Sequence, residues 1–174
     1  MRAVLISCLM GASFALTAHA GPEDFVPGTV ITGFGDVAAV EDARLGADTE
    51  FHIAYDIAQA AAQGEVSRAL VTPARFLNMH VAAGVPEENI HLAVVVHGGA
   101  YRDLLNAESY GAENPNAPLI EQLIAHGVTI ELCGQTAAYR DVIEDDLLPG
   151  VTISLSAMTS HALLQQQGYT LNPF

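Results

Sequence analysis

The sequence predicts an α/β domain built on a mainly parallel sheet of about five strands. From Phe51 onward, apolar stretches of strand length alternate with longer segments in which apolar residues recur at helical spacing. This alternation is typical of stacked βα units, in which each helix returns the chain to the start of the next parallel strand. Gly, Pro and Asn residues lie between the stretches, which indicates turns between the elements.

Five segments have the composition of strands. Each is rich in β-branched or aromatic residues, which favour extended backbone, and each is bounded by residues that form turns. We therefore predict strands at residues 51–57, 90–97, 128–133 and 151–155, and a short fifth strand at residues 169–171.

A helix is predicted between the first two strands, and its end is better defined than its start. Gly84 and Pro86 indicate that it stops near Ala83. Two starts are compatible with the sequence: Thr72 could cap a helix that begins at Pro73, or Ser67 could cap a longer helix that Pro73 kinks. Apolar residues recur at helical spacing at Leu70, Ala74, Leu77 and Val81, and only the longer helix contains all four.

Three further helices follow from capping signals and apolar spacing. One begins after Asn116, near Pro118, and ends at Gly127. Another opens at residues 134–136, directly after the third strand, and the last covers residues 158–167 and stops at Gly168.

The first twenty residues have the pattern of a cleavable signal peptide. Arg2 is followed by an apolar run and then by Ala18-His19-Ala20, the small-x-small motif after which signal peptidases cut. The run is shorter than the roughly 20 apolar residues that span a bilayer, which argues against a membrane anchor. We expect an exported, periplasmic protein with a signal peptide at 1–20, an extended N-terminal arm at 21–49 and the α/β domain at 50–174.

The charge balance excludes several classes of partner and chemistry. The chain has twenty acidic residues against six arginines, a formal net charge of −14, and it has no lysine. Nucleic acid and anionic membrane surfaces are therefore not expected as partners, and no membrane contact is expected after signal cleavage. Without lysine, Schiff-base chemistry and the phosphate-binding lysine of a P-loop are also excluded.

Two reactive side chains stand where predicted strands end. The second strand ends in His97 followed by Gly98, and the third ends in Cys133 followed by a helix that opens with Gly134, Gln135 and Thr136. Ligands of parallel α/β sheets bind beyond the carboxyl ends of the strands, where helix N-termini present free N–H groups. Such N–H groups favour the thiolate, which is the nucleophilic form of cysteine.

Each of these two residues also has a purely structural interpretation. Free cysteine is among the most buried residue types, so Cys133 could be inert. A histidine at a strand end, such as His97, can simply cap nearby backbone groups.

No metal site or other cofactor is expected from the sequence. There is no HExxH motif and no cysteine pair, and Cys8 would leave with the signal peptide. His91 and His97 lie on the same face of one strand but roughly 20 Å apart, which is too far to share a metal ion.

Five short motifs occur in a familiar order: RFLNMH at 75–80, VVVHG at 94–98, LCGQT at 132–136, LLPGV at 147–151 and LQQQGY at 164–169. Together they resemble the DsrE/DsrF-like family of sulfur-metabolism proteins over about residues 50–174, and residues 30–40 are similar to its exported members. The resemblance implies a three-layer α/β/α sandwich that assembles as a homo-oligomer, a trimer or a hexamer. It also implies that Cys133 accepts sulfur as a persulfide, while His97 could help or only shape the pocket.

The leading hypothesis is therefore an exported sulfur carrier or sulfurtransferase-like protein that takes up sulfane sulfur on Cys133. In it, Gly98, Gly134, Gln135 and Thr136 bind the substrate, and the sulfur comes from or goes to a partner protein. Gly134 would also let a substrate approach the sulfur closely. The alternatives are a non-enzymatic binding or assembly module and a thiol redox sensor. A subunit interface could add His126, His161 or Tyr101 to the pocket.

Overall fold

The computed structural model describes residues 21–40, 43 and 45–173, so the predicted signal peptide lies outside the described residues. Five strands form one sheet, and all neighbouring strands in it are parallel. The strands are Phe51–Ile57 (β1), Ile90–Val96 (β2), Thr129–Cys133 (β3), Thr152–Ser154 (β4) and Thr170–Asn172 (β5), in the spatial order β4-β3-β2-β1-β5. The predicted fold class is confirmed.

Helices connect the strands and cover both faces of the sheet. They are Arg68–Ala82 (α1), Ala107–Tyr110 (α2), Ala117–Ala125 (α3), Gly134–Arg140 (α4) and Ala157–Gln166 (α5). The connections from β1 to β4 step across the sheet in one direction, whereas α5 returns the chain to the opposite edge. Right-handed crossovers therefore place α5 on the face opposite α1 and α3. Among the described residues, no helix is both long enough and apolar enough to cross a bilayer.

Helix α1 has the longer of the two predicted extents. The Ser67 hydroxyl accepts a hydrogen bond from the Leu70 N–H at 3.5 Å, and Pro73 lies inside the helix. The start is also fixed from outside, because the buried Ser67 N–H donates to the Asn116 side chain at 2.7 Å. The alternative start, with Thr72 as the cap, is therefore wrong.

Strand β1 has the predicted bounds, and no boundary of the other four strands differs from its prediction by more than one residue. Strand β4 is the shortest relative to its prediction, because it pairs with β3 only from Glu131 opposite Thr152 to Cys133 opposite Ser154. Strand β2 ends at Val96, and His97 continues in extended conformation beyond the paired region.

The two faces of the sheet have different chemistry. Alternate residues of a strand point to opposite faces, and on one face they form the apolar core with α1 and α3. On the face toward α5, β1 presents Asp56 while β3 presents Glu131 and Cys133. The core-facing residues of the three central strands are Tyr55, Ile57, Leu92, Val94, Val96, Ile130 and Leu132.

The N-terminal arm is fastened to α1 by one buried side chain. Asn78 is 1 % exposed, and its carbonyl oxygen accepts from the N–H groups of Val30 and Ile31 at 3.1 and 2.9 Å. Its amide group donates to the carbonyl oxygens of Ile31 and Phe34, both at 3.0 Å. Ile31 is thereby held in the core, where it is fully buried.

We expect the substitution Asn78→Ala to lower the free energy of unfolding by roughly 2 to 4 kcal/mol, because it leaves buried backbone groups of the arm without partners. Urea unfolding followed by circular dichroism measures this change. Gln122→Ala is the control, since Gln122 makes comparable bonds to Thr32 in an exposed setting, and it should cost less than about 1 kcal/mol. Equal effects of the two substitutions would show that the arm does not depend on Asn78.

Candidate functional site

A cavity of about 310 Å³ lies at the carboxyl edge of the sheet, on the face covered by α5. The register of β1, β2 and β3 brings it together, because Val96 is paired with both Ile57 and Leu132. Four of the predicted site residues line the cavity: His97, Cys133, Gln135 and Thr136. The other lining residues are Asp56, Ser156, Ala157, Met158 and His161. We call these nine residues the thiol site.

Cys133 lies at the junction of β3 and α4, with 6 % of its surface exposed. Burial acts to raise the pKa of its thiol. Backbone N–H groups of Ala157, Thr136 and Gln135, together with the Thr136 hydroxyl, act in the opposite sense, and the pKa is held below its ordinary value. The arrangement favours the nucleophilic thiolate.

Thr136 connects Cys133 to the end of β2. Its hydroxyl oxygen accepts a hydrogen bond from the Gly98 N–H at 3.1 Å, which leaves the hydroxyl proton available to the sulfur. Gly98 has φ +57°, and a Cβ there would be 3.0 Å from the Ala58 carbonyl oxygen. The predicted residue Gly98 therefore supports the thiol site through Thr136, and it does not line the cavity.

Gly134 and Gln135 have structural contacts that the sequence did not indicate. A Cβ on Gly134 would overlap the Ser154 carbonyl oxygen, so the close approach of α4 to β4 requires a glycine at this position. Gly134 lies outside the cavity lining. The Gln135 side chain donates to the Leu155 carbonyl oxygen at 3.2 Å, and its contribution to the sulfur is its backbone N–H.

Asp56 binds two imidazole rings on the wall of the cavity. Its Oδ2 is 3.1 Å from His97 Nε2, and its Oδ1 is 2.8 Å from His161 Nε2. Burial acts to raise the pKa of the Asp56 carboxyl, but the hydrogen bonds from His161 and His97 outweigh it and the pKa is lowered. The carboxylate is therefore ionised at neutral pH and orients both rings. Among the described residues, the His97 ring bonds to Asp56 and no hydrogen bond joins it to Cys133.

Sequence reasoning missed Asp56 and considered His161 only for a subunit interface. Both were detectable in principle. Asp56 is the one acidic residue in an otherwise apolar or aromatic strand and follows the period-two pattern of the face toward α5. His161 is in the second turn of α5, and it reaches Asp56 within the same chain, without a second subunit. His126 and Tyr101 have other partners, Glu87 and Arg140 respectively.

A second polar contact sets the position of α5 relative to Cys133. The Ser160 hydroxyl donates to the Glu131 carboxylate at 2.6 Å, two residues before Cys133 on the same face of β3. Ser156 caps α5 by accepting from the Thr159 N–H at 3.1 Å. The first N–H of the helix, that of Ala157, is thereby held next to the sulfur.

We expect Thr136→Val to raise the pKa of the Cys133 thiol, because the substitution removes a hydroxyl that stabilises the thiolate. The wild-type rate of alkylation by iodoacetamide should reach half of its maximum below the pH of about 8.5 at which an ordinary thiol titrates. The midpoint should move upward in Thr136→Val, and the rate at pH 7 should fall. Thr136→Ser keeps the hydroxyl and should retain the wild-type profile. An unchanged profile in Thr136→Val would contradict this account.

Comparisons with known proteins point to one family. The family model of the DsrE/DsrF-like family matches residues 48–173. No protein with a curated description matches the chain. The solved structure of a protein of unknown function, MTH1491 from Methanobacterium thermoautotrophicum, is similar with a TM-score of 0.55 and 20% sequence identity. The match covers 71% of this chain and 98% of that one, and it supports the fold.

The ychN protein from E. coli matches with a TM-score of 0.45 and 17% identity, over 70% of this chain and 100% of that one. The family match is the stronger finding, because it covers the whole sheet and both strand ends that carry His97 and Cys133. The family match agrees with the motifs identified in the sequence and with the five-stranded parallel sheet. The chain belongs to the DsrE/DsrF-like family.

Proposed function

We propose that this protein is an exported sulfur carrier or sulfurtransferase-like protein that takes up sulfane sulfur as a persulfide on Cys133. The observation that carries the proposal is the lowered pKa of a thiol that faces a small cavity and is surrounded by N–H groups. Membership of the DsrE/DsrF-like family, which suggests a sulfur-relay role, supports the same chemistry.

The uptake step is a balanced exchange without an external oxidant. The Cys133 thiolate attacks the outer sulfur of a donor persulfide, R–S–SH. A new S–S bond forms on Cys133 and the donor S–S bond breaks, so the donor leaves as the thiolate R–S⁻ with the bonding electron pair. The proton on the transferred sulfur stays with it, and the product is a Cys133 persulfide. Attack by an acceptor thiolate on the outer sulfur of that product would pass the sulfur on.

The surrounding residues have defined parts in this step. The N–H groups of Gln135, Thr136 and Ala157 stabilise negative charge on the Cys133 sulfur before attack. His97 and His161 are held by Asp56 on the wall of the cavity, where a proton donor could stabilise the leaving thiolate. The cavity of about 310 Å³ is at the small end of the usual range for ligand sites, which suits a short sulfur chain or the tip of a partner segment.

Exposed apolar side chains near the mouth of the cavity support a partner or a second subunit. Met158 lines the cavity with 80% of its surface exposed, and Leu155, which directly precedes the N-cap residue of α5, is 71% exposed. We further propose that the protein acts in the periplasm as a homo-oligomer, a trimer or a hexamer. A sulfur donor or acceptor protein docks at the mouth of the cavity.

The burial of Cys133 beneath exposed apolar side chains also favours one alternative function. Cys133 is almost fully buried, so the apolar rim at Leu155 and Met158 could be a binding or assembly surface with an incidental thiol beneath it. A thiol redox sensor is the other alternative, and its product would be a sulfenic acid or a disulfide between chains. The binding module predicts that no sulfur is gained on incubation with a sulfane donor. Non-reducing electrophoresis after mild oxidation separates the redox sensor from the other two possibilities.

We expect the secreted protein to gain about 32 Da per sulfur atom when it is incubated with polysulfide or thiosulfate and examined by intact-mass spectrometry. The gain should disappear on treatment with a reductant, and Cys133→Ser should show none. The mass of the untreated protein also tests export, since cleavage of the predicted signal leaves a chain that begins at Gly21. No gain on the wild type, or an equal gain on Cys133→Ser, would contradict the proposal.

A further inference from the structure

A cluster of side chains that could ligate a metal ion lies at the opposite end of the sheet from the thiol site. Glu50 directly precedes β1, His52 is the second residue of β1 and His91 is the second residue of β2. His52 and His91 are direct partners in the parallel pairing of these strands, so the backbone itself places their side chains next to each other on the face toward α5. We call these three residues the Glu50 cluster.

The two imidazole rings converge on one carboxylate oxygen. Their centroids are 4.5 Å apart and their planes meet at 30°, so they are stacked. Glu50 Oε1 is 2.9 Å from His52 Nε2 and 3.7 Å from His91 Nε2. One potential ligand atom from each of the three residues lies within 4.8 Å of the other two.

These distances are close to those that a bound ion requires. Zinc takes imidazole nitrogen and carboxylate oxygen at about 2.0 to 2.2 Å, which places neighbouring tetrahedral ligands about 3.3 Å apart. The distances from Glu50 Oε1 to His52 Nε2 (2.9 Å) and to His91 Nε2 (3.7 Å) are respectively shorter and longer than this ligand–ligand separation. The Glu50 side chain is 60% exposed and can adjust its torsions, whereas strand pairing fixes the backbone positions of the two histidines.

The ring of His52 is held in place by its surroundings. Tyr169 packs edge-on against it, with centroids 5.2 Å apart and planes at 83°. The His52 Nδ1 atom is buried and has no hydrogen-bond partner in the described part of the chain. The polar contacts of this ring are therefore made through Nε2, toward Glu50. Preorganised ligands reduce the entropy lost when an ion binds.

Sequence reasoning excluded a metal site because it compared His91 with His97, which lie on one strand. The pair that the fold forms is across two strands, from positions 39 residues apart, and only the register of β1 and β2 reveals it. The Glu50 cluster is also separate from the thiol site. His52 and Asp56 are four residues apart on β1, which is about 13 Å of extended chain.

We propose that Glu50, His52 and His91 form a binding site for a divalent late first-row transition-metal ion, with Zn²⁺ as the expected occupant. Two imidazoles and one carboxylate are a set that suits zinc, copper or nickel, whereas magnesium and calcium prefer oxygen ligands alone. Three protein ligands leave one tetrahedral position for water. The ion would tie the first residues of β1 to those of β2, and the strongly acidic chain would attract it.

The test uses the mature chain without an affinity tag and with Cys133→Ser, so that neither a histidine tag nor the thiol contributes. Zn²⁺ is titrated in competition with a chromophoric chelator, and Co²⁺ is added separately to record its visible absorption spectrum. We expect one ion per chain and a spectrum typical of tetrahedral nitrogen and oxygen ligation. His91→Gln and Glu50→Gln should each weaken Zn²⁺ binding at least about tenfold, since even changes outside the ligand set cost 10- to 100-fold.

Two control substitutions locate the ion. His126→Gln alters a histidine that pairs with Glu87 elsewhere and should leave the affinity unchanged. His161→Gln alters a histidine of the thiol site, which bonds to Asp56, and should also leave the affinity for Zn²⁺ unchanged. The proposal is overturned if Zn²⁺ does not bind, if His91→Gln and Glu50→Gln bind it as well as their parent, or if only His161→Gln loses it. Thermal melting by circular dichroism confirms that each variant is folded. Because every chain tested lacks the Cys133 thiol, the result is independent of the proposed sulfur chemistry.

Discussion

The register of the three central strands is the constraint on which the rest of the structure depends. Parallel pairing aligns the ends of β1, β2 and β3 at one edge, so that Asp56, His97 and Cys133 meet although they are far apart in sequence. A slip of one residue in any pair would turn these side chains toward the apolar core, since alternate residues point to opposite faces. The same register places His52 beside His91 at the other end of the sheet.

One face of the sheet carries the apolar core, and the other carries the polar and reactive side chains. The face toward α1 and α3 is apolar and continuous, and burial of its aliphatic side chains stabilises the domain. The face toward α5 carries carboxylates, histidines and the thiol, and hydrogen bonds such as Ser160 to Glu131 hold the helix over it. Because α5 covers this face with polar contacts as well as packing, a cavity can persist beside Cys133.

Much of the fold could be predicted from local sequence, whereas the site could be predicted only in part. The strands and the start of α4 follow from composition and spacing, so Cys133 and His97 were expected at one edge. The start of α1 was ambiguous because Asn116, which binds the Ser67 N–H, is 49 residues away. The partnership of Asp56 with His161 spans 105 residues and depends on α5 crossing the sheet, which no local pattern encodes. The packing of Gly134 against Ser154 is equally non-local, so the sequence did not predict it.

We propose that the fold activates the Cys133 thiol although it buries the side chain. The most direct measurement compares the rate at which thiosulfate or polysulfide adds sulfur to Cys133 in the native protein and in the same protein unfolded in urea, both at pH 7. We expect faster reaction in the native protein, because the surrounding N–H groups raise the thiolate fraction while the cavity admits a small donor. Equal or faster reaction of the unfolded chain would contradict it and would leave Cys133 as a buried structural residue.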